Sequence, residues 1–300
     1  MISFFRIFWN SSLIFAISIM LGLIFPGPAH SSQALITPAL MLMMAFSTSE
    51  IELEAGPGIN GALAGFAMNY LLLSGLILAM AFTLEDEILY QGFVVMAAVP
   101  PAVAVIPLTR LLDGDSKLSL YSEALCYLVS PVLMPALILA FAGRSGVDVL
   151  SIFETAILLI VLPFIISRYL RRFDLDPVPP INLSFFLVTY IVVGLNSEVI
   201  IEGLKSVALI AALRTFGIGT ATYIACGLIC ADAKKRVSMT LLSSFKNLGL
   251  AAAVSLMLFG PRAAVPSAVC ILAETGFYII FSAAKNLTSK HRAINLANLK

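Results

Sequence analysis

Apolar residues run through this chain in ten blocks separated by short polar connections. Blocks of about 17 to 25 residues match the length of a membrane-crossing helix rather than one face of a soluble one. They lie near 7–25, 33–49, 60–82, 88–111, 119–141, 150–170, 181–197, 204–230, 236–259 and 264–284. The pattern fails twice. In the fourth segment Pro100 and Pro101 interrupt the run, with Pro107 close behind, and each proline removes a backbone donor. In the ninth, Ser243-Ser244-Phe245-Lys246-Asn247 puts hydroxyls, an ammonium and an amide into a stretch from Val237 to Phe259 that carries no other charge. Non-helical backbone persists at membrane depth only inside protein or beside a water-filled cavity.

Lys246 stands 146 residues after Pro100, and shifting the first five segments by that interval lays them on the second five. The spacing predicts a 5+5 repeat within a single membrane domain, 1–300. Repeat one covers about 4–145 and repeat two about 148–286, and 287–300 forms a tail. Five is odd, so the two repeats enter from opposite sides and lie inverted. The predicted fold class is an all-α membrane protein of ten transmembrane helices with helices 4 and 9 broken, and interrupted helices in matching halves point to a transporter.

Composition agrees: 60% of residues are hydrophobic and 12% charged, with a mean hydropathy of +1.01, whereas soluble domains carry about a quarter charged residues. The 18 Lys and Arg residues set the orientation. Arg6, Arg110, Lys117, Arg168, Arg171, Arg172, Lys234, Lys235, Arg236, Lys285, Lys290, Arg292 and Lys300 fall on one side; Arg144, Lys205 and Arg262 fall on the other. That asymmetry predicts both termini in the cytoplasm, in a bacterial inner membrane or its equivalent. The acidic Glu50 to Glu54 loop shares the cytoplasmic side but weighs little in that rule. The first segment is longer than a signal peptide's apolar core and has a repeat partner at 150–170, so it is read as retained. No G-x-x-x-x-G-K-[ST] loop is present, which removes direct nucleotide drive from this chain. His30 and His291 lie in a connection and the tail, so an intramembrane enzyme or metal centre lacks its usual base or ligand. Cys126, Cys226, Cys230 and Cys270 all fall within segments; Cys226 and Cys230 share a helix face, where packing rather than metal is expected.

Charges inside segments are costly and mark function or a partner. Besides Lys246 these are Arg214, mid-way along the eighth segment, and Glu274, mid-way along the tenth. One of the two cations is expected to pair with Glu274, leaving the centre net positive and suited to an anionic substrate. A Lys246 that released its proton during a cycle would be a proton-coupling site; a guanidinium does not do this. Plainer roles go to Asn182 and Asn196 as helix caps and to Glu123 and Glu154 as residues reaching the interface. Gly61, Gly65 and Gly75 would allow close helix packing, and the Arg171-Arg172 and Lys234 to Arg236 clusters set orientation rather than bind nucleic acid.

Four stretches resemble the bile acid:sodium symporter family: Leu35 to Ser47 (LITPALMLMMAFS), Val99 to Thr109 (VPPAVAVIPLT), Ser130 to Leu137 (SPVLMPAL) and Lys246 to Ala253 (KNLGLAAA). The resemblance implies a panel (segments 1, 2, 6 and 7) and a core (segments 3 to 5 and 8 to 10) whose fourth and ninth helices unwind and cross. It also marks departures. The family's fourth-helix Pro-Gly-Gly-Thr-Ala-Ser-Asn aligns with Pro100 to Ile106, so Val105 and Ile106 stand where two sodium ligands should be, and neither coordinates a hard cation. The ninth-helix Glu-x-Gly-x-Gln-Asn aligns with Leu242 to Asn247, putting Leu242 for the carboxylate and Lys246 for the glutamine, with Asn247 retained. Asn69 stands where the family has a sodium-site glutamine.

The ammonium of Lys246 could then fill the position of a bound sodium, bonded to Ser243, Ser244 and the carbonyls ending the first half of the ninth segment. It could equally pin the crossover, and the two roles are compatible. The resulting expectation is a secondary transporter of a small organic anion, in a lipid bilayer, with no cofactor and with sodium coupling lost or weak. Its site residues are Lys246, Asn247, Ser243, Ser244, Asn69, Arg214 and Glu274, beside a crossover at Pro100, Pro101 and Pro107. Alternatives are a symporter holding sodium by backbone carbonyls, a permease like the auxin efflux carriers, and a non-transporting sensor. The arsenite-permease type is disfavoured because no cysteine lies at the fourth-helix break.

Overall fold

The computed structural model describes residues 11–49, 59–142, 149–173, 175–195, 197, 207–229 and 232–297. Arg6, the Glu50 to Glu54 loop, Arg144, Asn196, Lys205, Cys230 and Lys300 lie outside the described residues. Among the described residues all regular structure is helical: α1 (Ser11–Ile24), α2 (Ile36–Ser49), α3 (Asn60–Ala81), α4 (Glu87–Ala98), α5 (Val105–Leu111), α6 (Ser116–Ala142), α7 (Leu150–Phe173), α8 (Val178–Leu195), α9 (Val207–Ile229), α10 (Ala233–Leu242), α11 (Leu248–Phe259) and α12 (Val265–Ala297). Among the described residues six helices are long and apolar enough to cross a membrane: α3, α6, α7, α8, α9 and the stretch Pro261–Lys285 that includes the start of α12. The protein is therefore an integral, multi-pass membrane protein. The described part of α1 is 14 residues, about 21 Å at 1.5 Å per residue, short of a hydrocarbon core of about 30 Å.

Both interruptions expected from the sequence are present. Val99 is extended (φ −72°, ψ 155°) and ends α4, because a residue before proline avoids the helical region. Pro107 differs from expectation: it lies in the first turn of α5, where the N–H groups have no intrahelical acceptor and its absence costs nothing. At the second break α10 ends at Ser243 and Asn247 caps α11, its Oδ1 accepting from Leu250 N–H at 3.0 Å. The breaks touch, since Asn247 N–H donates to Pro100 O at 2.9 Å. Other features recur at the same interval. Asp86 caps α4 through Ile88 N (3.0 Å) and Leu89 N (3.1 Å), and Asp232 caps α10 through Lys234 N (2.9 Å) and Lys235 N (3.4 Å). A π-helical turn at Ala67–Leu73 in α3 is matched by one at Leu213–Gly217 in α9.

Two bodies emerge from the packing. In the first, α8 lies against α1 and α2, and α7 against α2. In the second, α4 is surrounded by α3, α6, α11 and α12, α9 packs on α10, and α10 on α5. The alanines of the Lys246 to Ala253 stretch are buried against α4 together with Phe93 and Ala97. Close approach depends on glycines, most tightly at two of them: a Cβ on Gly65 would lie 2.0 Å from Ser122 Oγ, and one on Gly92 would lie 2.2 Å from Ala263 O. Gly75 meets nothing within 4 Å, so close packing does not explain it.

Each broken pair is also tied to the other at its ends. Arg262, after α11, pairs with the α4 cap Asp86. At the opposite end Asp115 N–H donates to Lys234 O (3.1 Å), Ser238 Oγ donates to Asp115 O (2.9 Å), and Lys234 Nζ meets Asp113 at 3.2 Å.

Two further expectations are corrected. Asn182 is buried within α8 instead of capping it. Glu123 is buried on the core side of α6 instead of reaching the interface. Helix α12 runs on to Ala297, through most of the predicted 287–300 tail.

Candidate functional site at the two helix breaks

Lys246 is 1% exposed, and its Nζ sits in an oxygen cage. It donates to Asn69 Oδ1 (2.8 Å), Ser74 Oγ (2.8 Å), Val99 O (2.8 Å) and Ala97 O (3.2 Å). The Tyr70 ring centroid lies 4.4 Å from the same nitrogen. An ammonium has three protons, so four acceptors more than satisfy it. The cage exists because α4 stops at Ala98: unwinding frees the Ala97 and Val99 carbonyls that a continuing helix would use. All four oxygens are formally neutral.

Asn69 works from both ends of its amide. While Oδ1 accepts from Lys246, Nδ2 donates to Leu242 O (2.9 Å) and Phe245 O (3.1 Å), closing carbonyls left open where α10 ends. Those carbonyls were expected to receive the ammonium, as were two hydroxyls. Instead Ser243 Oγ turns back to Thr240 O (3.0 Å) and Ser244 Oγ to the same carbonyl. Both serines are buried at the break without touching the lysine side chain.

Arg214 is fully buried and pairs through Nη2 with Glu274 Oε1. The same nitrogen donates to Ser244 O at 2.7 Å. Glu274 Oε1 also accepts from the backbone N–H of Lys246 at 3.0 Å, so the carboxylate holds the second break from the α9 and α12 side. The expected pairing of one cation with Glu274 thus falls to Arg214. At the breaks the charged side chains are Lys246, Arg214 and Glu274; among the described residues one further carboxylate, Glu123 on α6, is buried.

Asn247, the retained motif residue, donates from Nδ2 to Tyr127 Oη (3.0 Å), and Tyr127 in turn donates to Pro101 O (3.0 Å). Ser74, Tyr70 and Tyr127 were not anticipated. Ser74 is five residues from Asn69, a spacing that an α-helix of about 100° per residue puts on different faces. The π turn between them brings both to the lysine, so no regular periodicity could have signalled it. A cleft of about 640 Å³ opens at the seam of the two bodies, between His30, Gln33 and Thr37 on one side and Leu256 and Met257 of α11 on the other.

The profile of the SBF-like CPA transporter family matches residues 13–178. The chain is 31% identical over 100 residues to "Sodium/bile acid cotransporter 7" of Danio rerio, a match covering 33% of this chain and 30% of that protein. The protein of the same name from Xenopus tropicalis is 29% identical over 99 residues, 29% of its length. The chain thus spans less than a third of these relatives. It is 25% identical over 220 residues to the "Uncharacterized sodium-dependent transporter YocS" of Bacillus subtilis (strain 168), covering 70% of this chain and 68% of that protein.

Proposed function

The chain belongs to the SBF-like CPA transporter family, and from that premise we propose that it carries a small organic anion across the membrane as a secondary transporter, without sodium coupling. The observation that supports this reading is the Lys246 cage. Hard cations seek oxygen ligands, and here a tethered cation already occupies four of them. The cage residues and the lysine all belong to the second body, so relative movement of the two bodies leaves the cage whole. A cation bonded to the chain cannot be released on the far side, and no sodium gradient is harvested there.

In this architecture the ten segments make ten crossings as a 5+5 inverted repeat, each broken pair counting as one, with both termini cytoplasmic in a bacterial inner membrane. The first body is the panel, the second the core, and the solute passes along their seam beside the crossover. An organic anion is the solute class because the cotransporter relatives are named for bile acids. The bilayer is the surrounding partner, and no cofactor takes part.

The test is thermal unfolding of purified protein in sodium or potassium buffer at equal ionic strength, for wild type and Lys246→Gln, since ligand binding to the folded state raises stability. Wild type should unfold at the same temperature in both salts, and Lys246→Gln should gain a sodium-dependent shift. Uptake of a labelled bile acid into proteoliposomes should be equal in the two salts. The name of the Bacillus relative favours a second reading, sodium symport. A sodium shift in wild type would establish that one and remove ours.

A further inference from the structure

Where α9, α10 and α12 meet at the end of the second body, a group of cations gathers that the transport reading does not use. Arg236 of α10 lays its guanidinium over the Tyr223 ring of α9, 3.7 Å from the centroid. Its Nε is buried without a hydrogen-bond partner, and Arg236 makes no ion pair among the described residues. Gly227, one turn beyond Tyr223, makes room for the fork: a Cβ there would lie 2.6 Å from Arg236 Nη1. Lys285 of α12 stands one turn beyond Phe281, whose ring meets that of Tyr223 at 5.1 Å between centroids. Asp113 meets Lys234, so these four groups together carry a formal excess of two positive charges.

The apolar side of this corner is equally exposed. Leu228 and Ile229 end α9 at 84% and 87% exposure, and Ile280 of α12 is 60% exposed. Cations at the margin of an apolar belt lie at the depth of lipid headgroups. A guanidinium fork matches phosphate oxygens two at a time, and one already resting over an aromatic ring loses little freedom on binding. A buried donor with no protein acceptor is costly unless a ligand supplies one.

We propose that this corner binds the phosphate of an anionic phospholipid, received by the Arg236 fork, flanked by Lys285 and Lys234, with the acyl chains along Leu228, Ile229 and Ile280. A soluble phosphate would use the same fork but gain nothing from the apolar flank.

The experiment measures the unfolding temperature of the full chain in neutral detergent after addition of phosphatidylglycerol, phosphatidylcholine with the same acyl chains, or inorganic phosphate. Phosphatidylglycerol should raise it, the other two should not, and Arg236→Gln should abolish the rise. Arg236→Lys, which keeps charge but not fork, should retain a smaller rise, and Arg172→Gln, elsewhere on the molecule, the full one. If Arg236→Gln does not fold, Tyr223→Leu, which removes the platform, should reduce the rise. An equal rise with phosphatidylcholine, an equal rise with inorganic phosphate, or a full rise in the Arg236 and Tyr223 variants would overturn the proposal.

Discussion

Two cations are buried in the same body of this protein and are neutralised in different ways. Arg214 faces a carboxylate, Glu274. Lys246 is surrounded by neutral oxygens: a side-chain amide, a hydroxyl and two carbonyls released by an unwound helix. The first arrangement is charge against charge and depends on both members being present. The second resembles the solvation of an ion, in which many dipoles each contribute a part and the ion is replaceable in principle. A crossover can therefore be held by a locked pair on one side and an ion-like site on the other, and only the second leaves a cation site when emptied.

The largest effect should come from breaking the locked pair. Glu274→Gln leaves the guanidinium uncompensated and should cost about 3–5 kcal/mol, read as a large fall in unfolding temperature. Pairing Arg214→Met with Glu274→Leu should recover much of it. A double variant as unstable as Glu274→Gln alone would show that the hydrogen bonds to Ser244 O and Lys246 N matter more than the charge.

Emptying the cage should cost less. Lys246→Ala empties the cage and leaves its carbonyls without a donor, about 1–3 kcal/mol for a buried group without a partner, and unlike the Arg214 variants it should be rescued by added methylammonium. An unfolding temperature indifferent to methylammonium would mean that the oxygens collapse instead of forming a site. Gly65→Ala, which drives a Cβ into Ser122 on the α3–α6 face, should cost about 1–3 kcal/mol by overpacking and spread α3 from its neighbours. Ser122→Ala, which removes the Oγ but leaves the Cβ 2.4 Å away, should relieve only part of it, and Ser122→Gly should relieve more.

The smallest effects belong to the caps. Asp86→Ala and Asp232→Ala should each cost about 1 kcal/mol. The Asp86 change should be slightly the larger because Asp86 also meets Arg262, and the excess should disappear in an Arg262→Gln background.

The helical segments and both breaks were legible because they rest on local chemistry: long apolar runs, paired prolines, and polar residues in a span that should have none. Lys246 stood out for the same reason. Asn69 stood out through the resemblance, but the other three partners did not, because they lie 147 to 172 residues away and two of them are backbone carbonyls, which no residue type announces. Ser74 was hidden by the π turn, and Glu123 by its place near a segment end, where a carboxylate usually reaches water. Pro107 was misread because a proline count does not separate a break from a first turn.

Helix α12 continues through Lys285 to Ala297, 33 residues in all, or about 50 Å of rod at 1.5 Å per residue. Its first turns pack on α4 and α11 at the heart of the second body. Such a rod is a pointer: a tilt of roughly 10° at its base displaces the tip by roughly 9 Å over that length. A spin label or dye near Ala297, paired with one on α8, would magnify into a readable distance a rotation too small to see at the seam.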